Sequence, residues 1–196
     1  MKYVLLSTFI LVAIIAISQI IVSKNSSETN TIEYETLAIK DGFQIRKYPK
    51  LTVASTELKS RSYSNNSSTG FRKIASYIFG GNSSDQQIAM TSPVQMDMGK
   101  EPTMSFFMPG YMEPKDYPTP NNKEVMIHTQ PSKIVAVIEF SGWASDEVLQ
   151  KQFNKLKSKL RKNSIEFEDS FSYLGYNPPY QVLNRKNEVI ISLINY

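Results

Sequence analysis

The chain has 196 residues, of which 41% are hydrophobic, and these values are typical of one globular domain with an appendage. It carries 22 basic and 18 acidic residues. Two of the lysines flank an apolar N-terminal run, so the remaining charge is too balanced to predict nucleic-acid binding. The sequence contains no cysteine, which excludes disulfides, thiolate metal sites and a cysteine nucleophile.

The first 24 residues predict a membrane segment. No charged residue lies between Lys2 and Lys24, and this length is close to the ~20 residues that a helix needs to cross a bilayer. The apolar run continues past the small-residue site Ala16–Ser18, which favours an uncleaved signal anchor over a cleaved signal peptide. The flanking charges place the N-terminus in the cytoplasm and the domain on the periplasmic or extracellular side, with secretion after cleavage as the alternative.

Residues 25–31 predict a polar linker, and residues 32–196 predict the domain. Strand-like alternation in "TIEYETL" and "FQIRKY" flanks the pair Asp41-Gly42, which supplies the positive backbone angles of a tight turn. This pattern predicts a β-hairpin. The β-branched segment Leu51–Leu58 predicts a third strand.

The first helix is predicted to follow a loop of capping residues at positions 62–70. Its apolar residues recur at intervals of three and four, which places them on one face of a helix. They are Phe71, Ile74, Ala75 and Ile78. Gly80-Gly81 is predicted to end this helix.

The second helix is predicted to begin after Ser145, a typical N-cap residue, with Asp146 and Glu147 in its first turn. A buried stripe is predicted at Leu149, Phe153, Leu156 and Leu160. The basic residues of the opposite face are typical of a solvated surface.

An internal repeat determines the predicted fold class. Further strands are predicted at Val94–Met98, Thr103–Met108, Val125–Thr129, Lys133–Phe140, Ser172–Tyr176 and Glu188–Ile194. The order "KLTVAST", loop, helix, "MTSPV" matches the order "KIVAVIE", loop, helix, "YNPPY". The domain is therefore predicted to be α+β, with two strand-helix-strand units that form one curved, mostly antiparallel sheet and two helices packed on it.

The methionines are concentrated in one third of the chain and alternate with aromatic residues. Apart from Met1 they are Met90, Met96, Met98, Met104, Met108, Met112 and Met126. Flexible thioethers suit either an irregular core or a pocket for a large, flat, apolar ligand. Composition favours core filling, because methionine is a routine gap-filler in packed interiors.

The sequence favours a binding protein over an enzyme. A serine nucleophile needs a base, and the one histidine, His128, lies in the strand-like "VMIHT" without a G-x-S-x-G elbow elsewhere. One histidine and no cysteine also leave few ligands for a transition metal.

Several segments resemble the SOUL family of haem-binding proteins. They are "GFRKIASYIFGGN", "IAMTSPV", "MSFFMP", "VAVIEFSG", "YNPPY" and "RKNEV", in the family's order, within a match from Tyr34 to the C-terminus. The resemblance implies a distorted β-barrel of two pseudo-repeated units with two helices, similar to the effector-binding domains of bacterial regulators. It also implies non-covalent binding of haem or another tetrapyrrole in a hydrophobic cleft beside the first helix.

The resemblance implies binding residues on the first helix and on the segment after it. The residues Phe71, Ile74, Ala75 and Ile78 either face the sheet or line the cleft. Met90 borders the cleft, and Arg72 with Lys73 would meet the propionates. No histidine lies near the N-terminal strands or the first helix, so the iron is expected to have no protein ligand or to be held by His128, a tyrosine or a methionine.

The predicted partners are an apolar planar small molecule and, through the N-terminal helix, a membrane. Sequestration or transport of haem by a membrane-tethered domain is the favoured function. Binding of another amphipathic small molecule or a lipid in the same cleft, without haem, is the alternative.

Overall fold

The computed structural model describes residues 7, 8, 14, 18, 31–110 and 112–196. The predicted membrane segment and most of the predicted linker therefore lie outside the described residues. Among the helices of the described part, none is long and apolar enough to cross a membrane.

Within residues 31–110 and 112–196, nine antiparallel strands form one curled sheet, a half-barrel. The strands are β1 (Glu35–Lys40), β2 (Phe43–Tyr48), β3 (Leu51–Glu57), β4 (Val94–Asp97), β5 (Thr103–Phe107), β6 (Met126–Gln130), β7 (Lys133–Ser141), β8 (Ser172–Gly175) and β9 (Lys186–Ser192). Their order is β1-β2-β7-β9-β8-β4-β5-β3-β6. The helices are α1 (Tyr63–Ile78) and α2 (Asp146–Lys162), with a short 3-10 turn at Pro114–Asp116.

The predicted hairpin is confirmed at the turn between β1 and β2. Asp41 and Gly42 have φ values of 42° and 74°, as a two-residue turn of the I′ type requires. This turn pairs Lys40 with Phe43, so β1 runs directly into it. The first strand therefore lies several residues later than the predicted "TIEYETL".

The strand order confirms the predicted internal repeat. In one half of the sheet the order is β3-β5-β4, and in the other it is β7-β9-β8. In each half the chain runs from a strand through a helix into two further strands. The halves meet where β4 and β8 pair in antiparallel fashion, with Val94 opposite Gly175.

The loop predicted at residues 62–70 is wrong, because α1 already begins at Tyr63. Ser62 is the N-cap, and its hydroxyl accepts a hydrogen bond from the backbone N–H of Asn65. The buried amide of Asn66 donates to the backbone carbonyl of Ser62. The polar residues that suggested a loop are thus the caps of the first turn.

The predicted second helix is confirmed. Ser145 is its N-cap and accepts a hydrogen bond from the backbone N–H of Val148. The buried residues of α2 are those of the predicted stripe, namely Leu149, Phe153, Leu156 and Leu160. They pack against the sheet together with the buried face of α1.

Asp146 joins the N-termini of the two helices. It lies in the first turn of α2, and its carboxylate accepts hydrogen bonds from the backbone N–H groups of Tyr63 (2.6 Å) and Ser64 (3.3 Å) and from the Ser62 hydroxyl (3.1 Å). Burial alone would raise the pKa of Asp146, but hydrogen bonds from Ser64, Tyr63 and Ser62 outweigh burial and hold this pKa below its usual value.

The sheet is buried on both faces. Residues of one face pack against the helices, and these include Phe43, Ile45, Ala54, Met96, Met104, Phe106 and Ile191. The opposite face, which we call the inner face, has its own apolar cluster of Tyr48, Val53, Phe107, Val135, Val137, Leu174 and Ile190. This cluster brings the pair β2 and β7 together with the pair β3 and β5. In the sheet the two pairs are separated by three strands, β9, β8 and β4, so the inner face is the concave side.

The methionines confirm the predicted core filling in four positions. Met96, Met98, Met104 and Met108 are buried in the cluster between sheet and helices. Met90, Met112 and Met126 are exposed. Among the three exposed methionines, only Met90 is one of the predicted ligand-binding residues.

Replacement of the shared cap residue tests the coupling of the two helices. Asp146→Asn is expected to lower the free energy of unfolding by about 1–2 kcal/mol at neutral pH, because the α1 amides lose a charged acceptor. Since the folded pKa of Asp146 lies below its usual value of 3.8, this stabilisation is present above that pH and is lost as the pH falls through the folded pKa. Urea denaturation at neutral and strongly acidic pH measures both effects.

The exposed carboxylate Glu101 provides the control for this experiment, and Glu101→Gln is expected to change stability little at either pH. An Asp146→Asn loss that stays equally large in strong acid would contradict the assigned role of the carboxylate.

Candidate ligand-binding sites

The predicted binding residues of α1 divide between the core and one edge of the helix. Ile74 and Ile78 are 0% and 1% exposed and pack in the core, and Ala75 is 8% exposed. Phe71 is half-buried, and its ring centroid lies 5.1 Å from that of Phe106 on β5.

An exposed aromatic residue continues this edge beyond the helix. Phe79 is the C-cap of α1 and is 60% exposed. Phe71, Ala75 and Phe79 are spaced by four residues and therefore follow one edge of the helix, next to the exposed Arg72. We call these four residues the α1 edge. Sequence reasoning missed Phe79, although its spacing of four from Ala75 was a signal that could have found it.

Met90 lies in the segment that leads from the end of α1 to β4. The Thr91 hydroxyl donates to the backbone carbonyl of Phe107 (2.5 Å), and the Ser92 hydroxyl donates to that of Tyr176 (3.2 Å). These bonds attach the segment to the end of β5 and to the residue that follows β8. The polar residues of "IAMTSPV" thus have a structural role, and the side chain of Met90 is 36% exposed.

His128 lies on the opposite side of the sheet from α1. It is exposed on the edge strand β6 and pairs with Val53, a member of the inner cluster, whereas the neighbouring Ala54 and Ile127 face the helices. Its Nε2 is 2.9 Å from the hydroxyl of Ser55. His128 and the α1 edge are therefore on different faces and cannot contact the same planar ligand.

The inner face contains a cleft beneath the turns that join β2 to β3 and β6 to β7. Its volume is about 240 Å³, including the space at its open mouth. Its apolar walls include Leu51, Phe107, Leu174 and Ile190, and its polar groups are Gln95, Gln130 and Lys133. Most of this space is open to solvent, and the enclosed part has room for about one water molecule.

A buried ion pair adjoins the cleft through Tyr48. The guanidinium of Arg46 lies 3.0 Å from the carboxylate of Glu188, and their side chains are 3% and 0% exposed. Arg46 also donates to the Tyr48 hydroxyl (3.4 Å), and the Tyr176 hydroxyl donates to Glu188 (2.8 Å). Burial and then the Glu188 charge raise the pKa of Tyr48 to about 12 and also raise that of Tyr176, so both phenols stay protonated at neutral pH.

Lys133 is a half-buried cation at the same cleft. Within residues 31–110 and 112–196 its ammonium group has no hydrogen bond and no salt bridge. Burial lowers the pKa of Lys133, and the more distant carboxylates of Asp97 and Glu168 only partly oppose this effect. A desolvated ammonium group therefore borders an apolar cleft.

Comparison with known proteins identifies the family of this chain. The family model described as SOUL heme-binding protein matches residues 29–192. The chain belongs to the SOUL family. This SOUL protein is 34% identical over 156 residues to heme-binding protein 2 of Homo sapiens, with 75% of this chain and 76% of the relative covered. It is 26% identical over 160 residues to heme-binding protein 1 of Xenopus laevis, with 76% and 84% covered.

The fold of the SOUL domain is similar to that of the EcmrR C-terminal domain. The crystal structure of the EcmrR C-terminal domain matches with a TM-score of 0.59 at 12% identity, covering 83% of this chain and 99% of the other. At this identity the likeness concerns the fold alone. It agrees with the curled antiparallel sheet and two helices that the resemblance implied.

Removal of one partner from the buried ion pair is expected to be strongly destabilising. Glu188→Gln leaves the Arg46 guanidinium buried without a counter-charge and should lower the free energy of unfolding by about 3–5 kcal/mol. The double variant Arg46→Met/Glu188→Leu removes both charges and should recover most of this loss. Urea denaturation of the three proteins gives the comparison.

The exposed pair Lys50–Glu113, separated by 2.6 Å, is the matched control. Glu113→Gln should lower stability far less than Glu188→Gln, because solvent screens this pair. If Glu188→Gln and Glu113→Gln lowered the free energy of unfolding by similar amounts, the buried pair would contribute no more to stability than an exposed one.

Proposed function

We propose that this chain binds haem or a related tetrapyrrole non-covalently, with the macrocycle against the α1 edge. The observation that carries this proposal is the family match over residues 29–192, which includes nearly the whole domain. The names of the two relatives, heme-binding proteins 1 and 2, support it. The proposed role is binding, in sequestration or transport, and not catalysis.

The α1 edge fits a tetrapyrrole that is held by its ring face and its propionates. The rings of Phe71 and Phe79 offer aromatic surface to a flat apolar macrocycle. Arg72 is exposed beside them and suits a propionate, since guanidinium-carboxylate hydrogen bonds are strong. Haem itself would supply the redox-active iron and an intense Soret absorption band.

Binding at this edge does not use the imidazole of His128. His128 lies on the inner face, on the opposite side of the sheet from α1. Met90, by contrast, has an exposed thioether on the segment that follows α1. We therefore propose that the iron has no histidine ligand from the same chain. Recognition would depend on the ring face and the propionates instead.

Membrane tethering remains part of the proposal. The uncharged run between Lys2 and Lys24 is near the length of a membrane-crossing helix. With the N-terminus in the cytoplasm, the domain would lie outside it, where it could sequester or carry haem. The supporting observation is the sequence pattern of this run.

A haemin titration tests the proposed function. The purified chain is expected to show a saturable Soret shift at about one equivalent, and His128→Ala should leave both shift and affinity unchanged. Arg72→Glu should weaken binding about tenfold or more, since a hydrogen bond to a charged group contributes ~1.5–3 kcal/mol. Arg61→Glu, at an exposed arginine that precedes α1, is the matched control and should bind as the parent does.

Two results would overturn parts of this proposal. Loss of the Soret shift in a folded His128→Ala variant would move the haem to the inner face. A parent protein without any saturable shift would reject haem and leave another amphipathic small molecule or a lipid as the ligand.

A further inference from the structure

The loop between β8 and β9 presents large apolar side chains to solvent. Tyr180, Val182 and Leu183 are 66%, 56% and 50% exposed, and they lie within four consecutive residues. Single exposed apolar residues are ordinary on a protein surface, but a cluster of them marks a surface that meets another protein or a membrane. This loop is therefore a candidate interaction surface.

Arg185 joins the one tryptophan of the chain, Trp143, to this loop. Trp143 follows β7 and is 55% exposed, and its ring centre lies 4.2 Å from the Arg185 guanidinium. The same guanidinium donates hydrogen bonds to the backbone carbonyls of Pro178 (2.9 Å) and Gln181 (2.6 Å). The indole and the loop thus form one surface. We call it the apolar loop patch, and it consists of Trp143, Tyr180, Val182 and Leu183.

Hydrogen bonds at the base of the loop fix the position of the patch in the fold. The backbone N–H of Tyr176 donates to the carbonyl of Lys186 (3.3 Å), and the backbone N–H of Lys186 donates to the side chain of Asn177 (2.6 Å). The side-chain amide of Asn187 donates to the carbonyl of Gly142 (2.8 Å), in the turn that carries the tryptophan. Both segments of the patch are therefore attached to the start of β9.

The N-terminal end of the domain lies beside the same loop. Thr31 pairs with Ser92 in an isolated bridge, and the backbone N–H of Ile32 donates to the Ser92 carbonyl (3.3 Å). The Ser92 hydroxyl donates in turn to the carbonyl of Tyr176 (3.2 Å), where the loop between β8 and β9 begins. A chain that comes from the predicted membrane segment therefore enters the domain at the base of this loop.

The predicted linker limits the distance between the domain and a bilayer. Residues 25–31 are seven residues, which span at most about 25 Å when fully extended. A tether of this length gives the loop a high effective concentration at the lipid surface, so weak contacts with lipid are sufficient. Residues 177–185 also include no acidic side chain that anionic head groups would repel.

We propose that the apolar loop patch docks on the surface of the bilayer to which the N-terminal segment tethers the chain. This inference rests on the membrane tethering proposed above. The indole and phenol rings lie at the level of the head groups, as tryptophan and tyrosine do at membrane interfaces. Val182 and Leu183 reach the boundary of the acyl chains. Docking holds the domain in one orientation against the phase in which an apolar tetrapyrrole dissolves.

The fluorescence of Trp143 tests this docking directly, because the chain has no other tryptophan. The full chain is reconstituted into phosphatidylcholine vesicles whose acyl chains either carry bromine atoms or do not. Bromine quenches an indole only at close range, and flotation first verifies that the chain is with the vesicles. Trp143 emission is expected to move to shorter wavelength in plain vesicles and to be quenched in brominated ones.

Three variants define the contact. Val182→Ser/Leu183→Ser should lose most of the quenching, whereas Leu183→Met keeps an apolar side chain and should remain quenched. Met126→Ser, at a 48% exposed apolar residue of β6, is the matched control and should behave as the parent does. The replaced side chains are exposed, so little effect on folding is expected, and circular dichroism verifies it.

The outcomes separate failure of docking from failure of the tether. A chain that floats with the vesicles but is not quenched would overturn the docking alone, and so would equal quenching in the folded Val182→Ser/Leu183→Ser variant. A spectral shift that follows protein concentration and not bromine would assign the patch to a second copy of the chain and would also overturn it. A chain that does not float would reject tether and docking together, and the haemin titration would still measure haem binding separately.

Discussion

A single sheet that must bury both of its faces determines the rest of this structure. Two helices cover one face, and no helix of the described residues covers the other. The sheet therefore curls until Tyr48 on β2 approaches Phe107 on β5 across the concave side. This closure takes the Arg46–Glu188 pair out of solvent, where each charge needs the other. It also leaves a small cleft beneath the two turns, on the opposite face of the sheet from the α1 edge.

Local sequence patterns predicted those parts of the fold that local forces determine. Asp41-Gly42 specifies a hairpin by its backbone angles, and the apolar spacing of α2 specifies a buried stripe. The start of α1 was missed because its serines and asparagines are typical of loops. They form a helix here because Asp146, from the other half of the chain, caps its N-terminus. At Gly70 an added Cβ would lie 2.8 Å from Leu58, so this glycine lets the helix approach the sheet.

The candidate sites also divide into parts that local sequence predicts and parts that depend on tertiary contacts. Helical spacing was sufficient to place Phe71 and Ala75 on one side of α1, and the family resemblance supplied their proposed role. The inner cleft could not be predicted, because strand alternation does not tell which strands meet across a curled sheet. Lys133 is an ordinary lysine in the sequence. Its lowered pKa follows only from the surroundings that the fold creates.

The separation of the two faces is most directly tested by paramagnetic broadening of methyl signals after addition of ferric haem to the labelled chain. Unpaired electrons on the iron broaden nearby signals and leave distant ones sharp. We expect strong broadening for the methyl groups of Ile74, Ile78 and Met90, which lie on or next to α1, and sharp signals for Leu51, Leu174 and Ile190 in the inner cleft. Broadening confined to the inner set would place haem on the concave face and would contradict binding at the α1 edge.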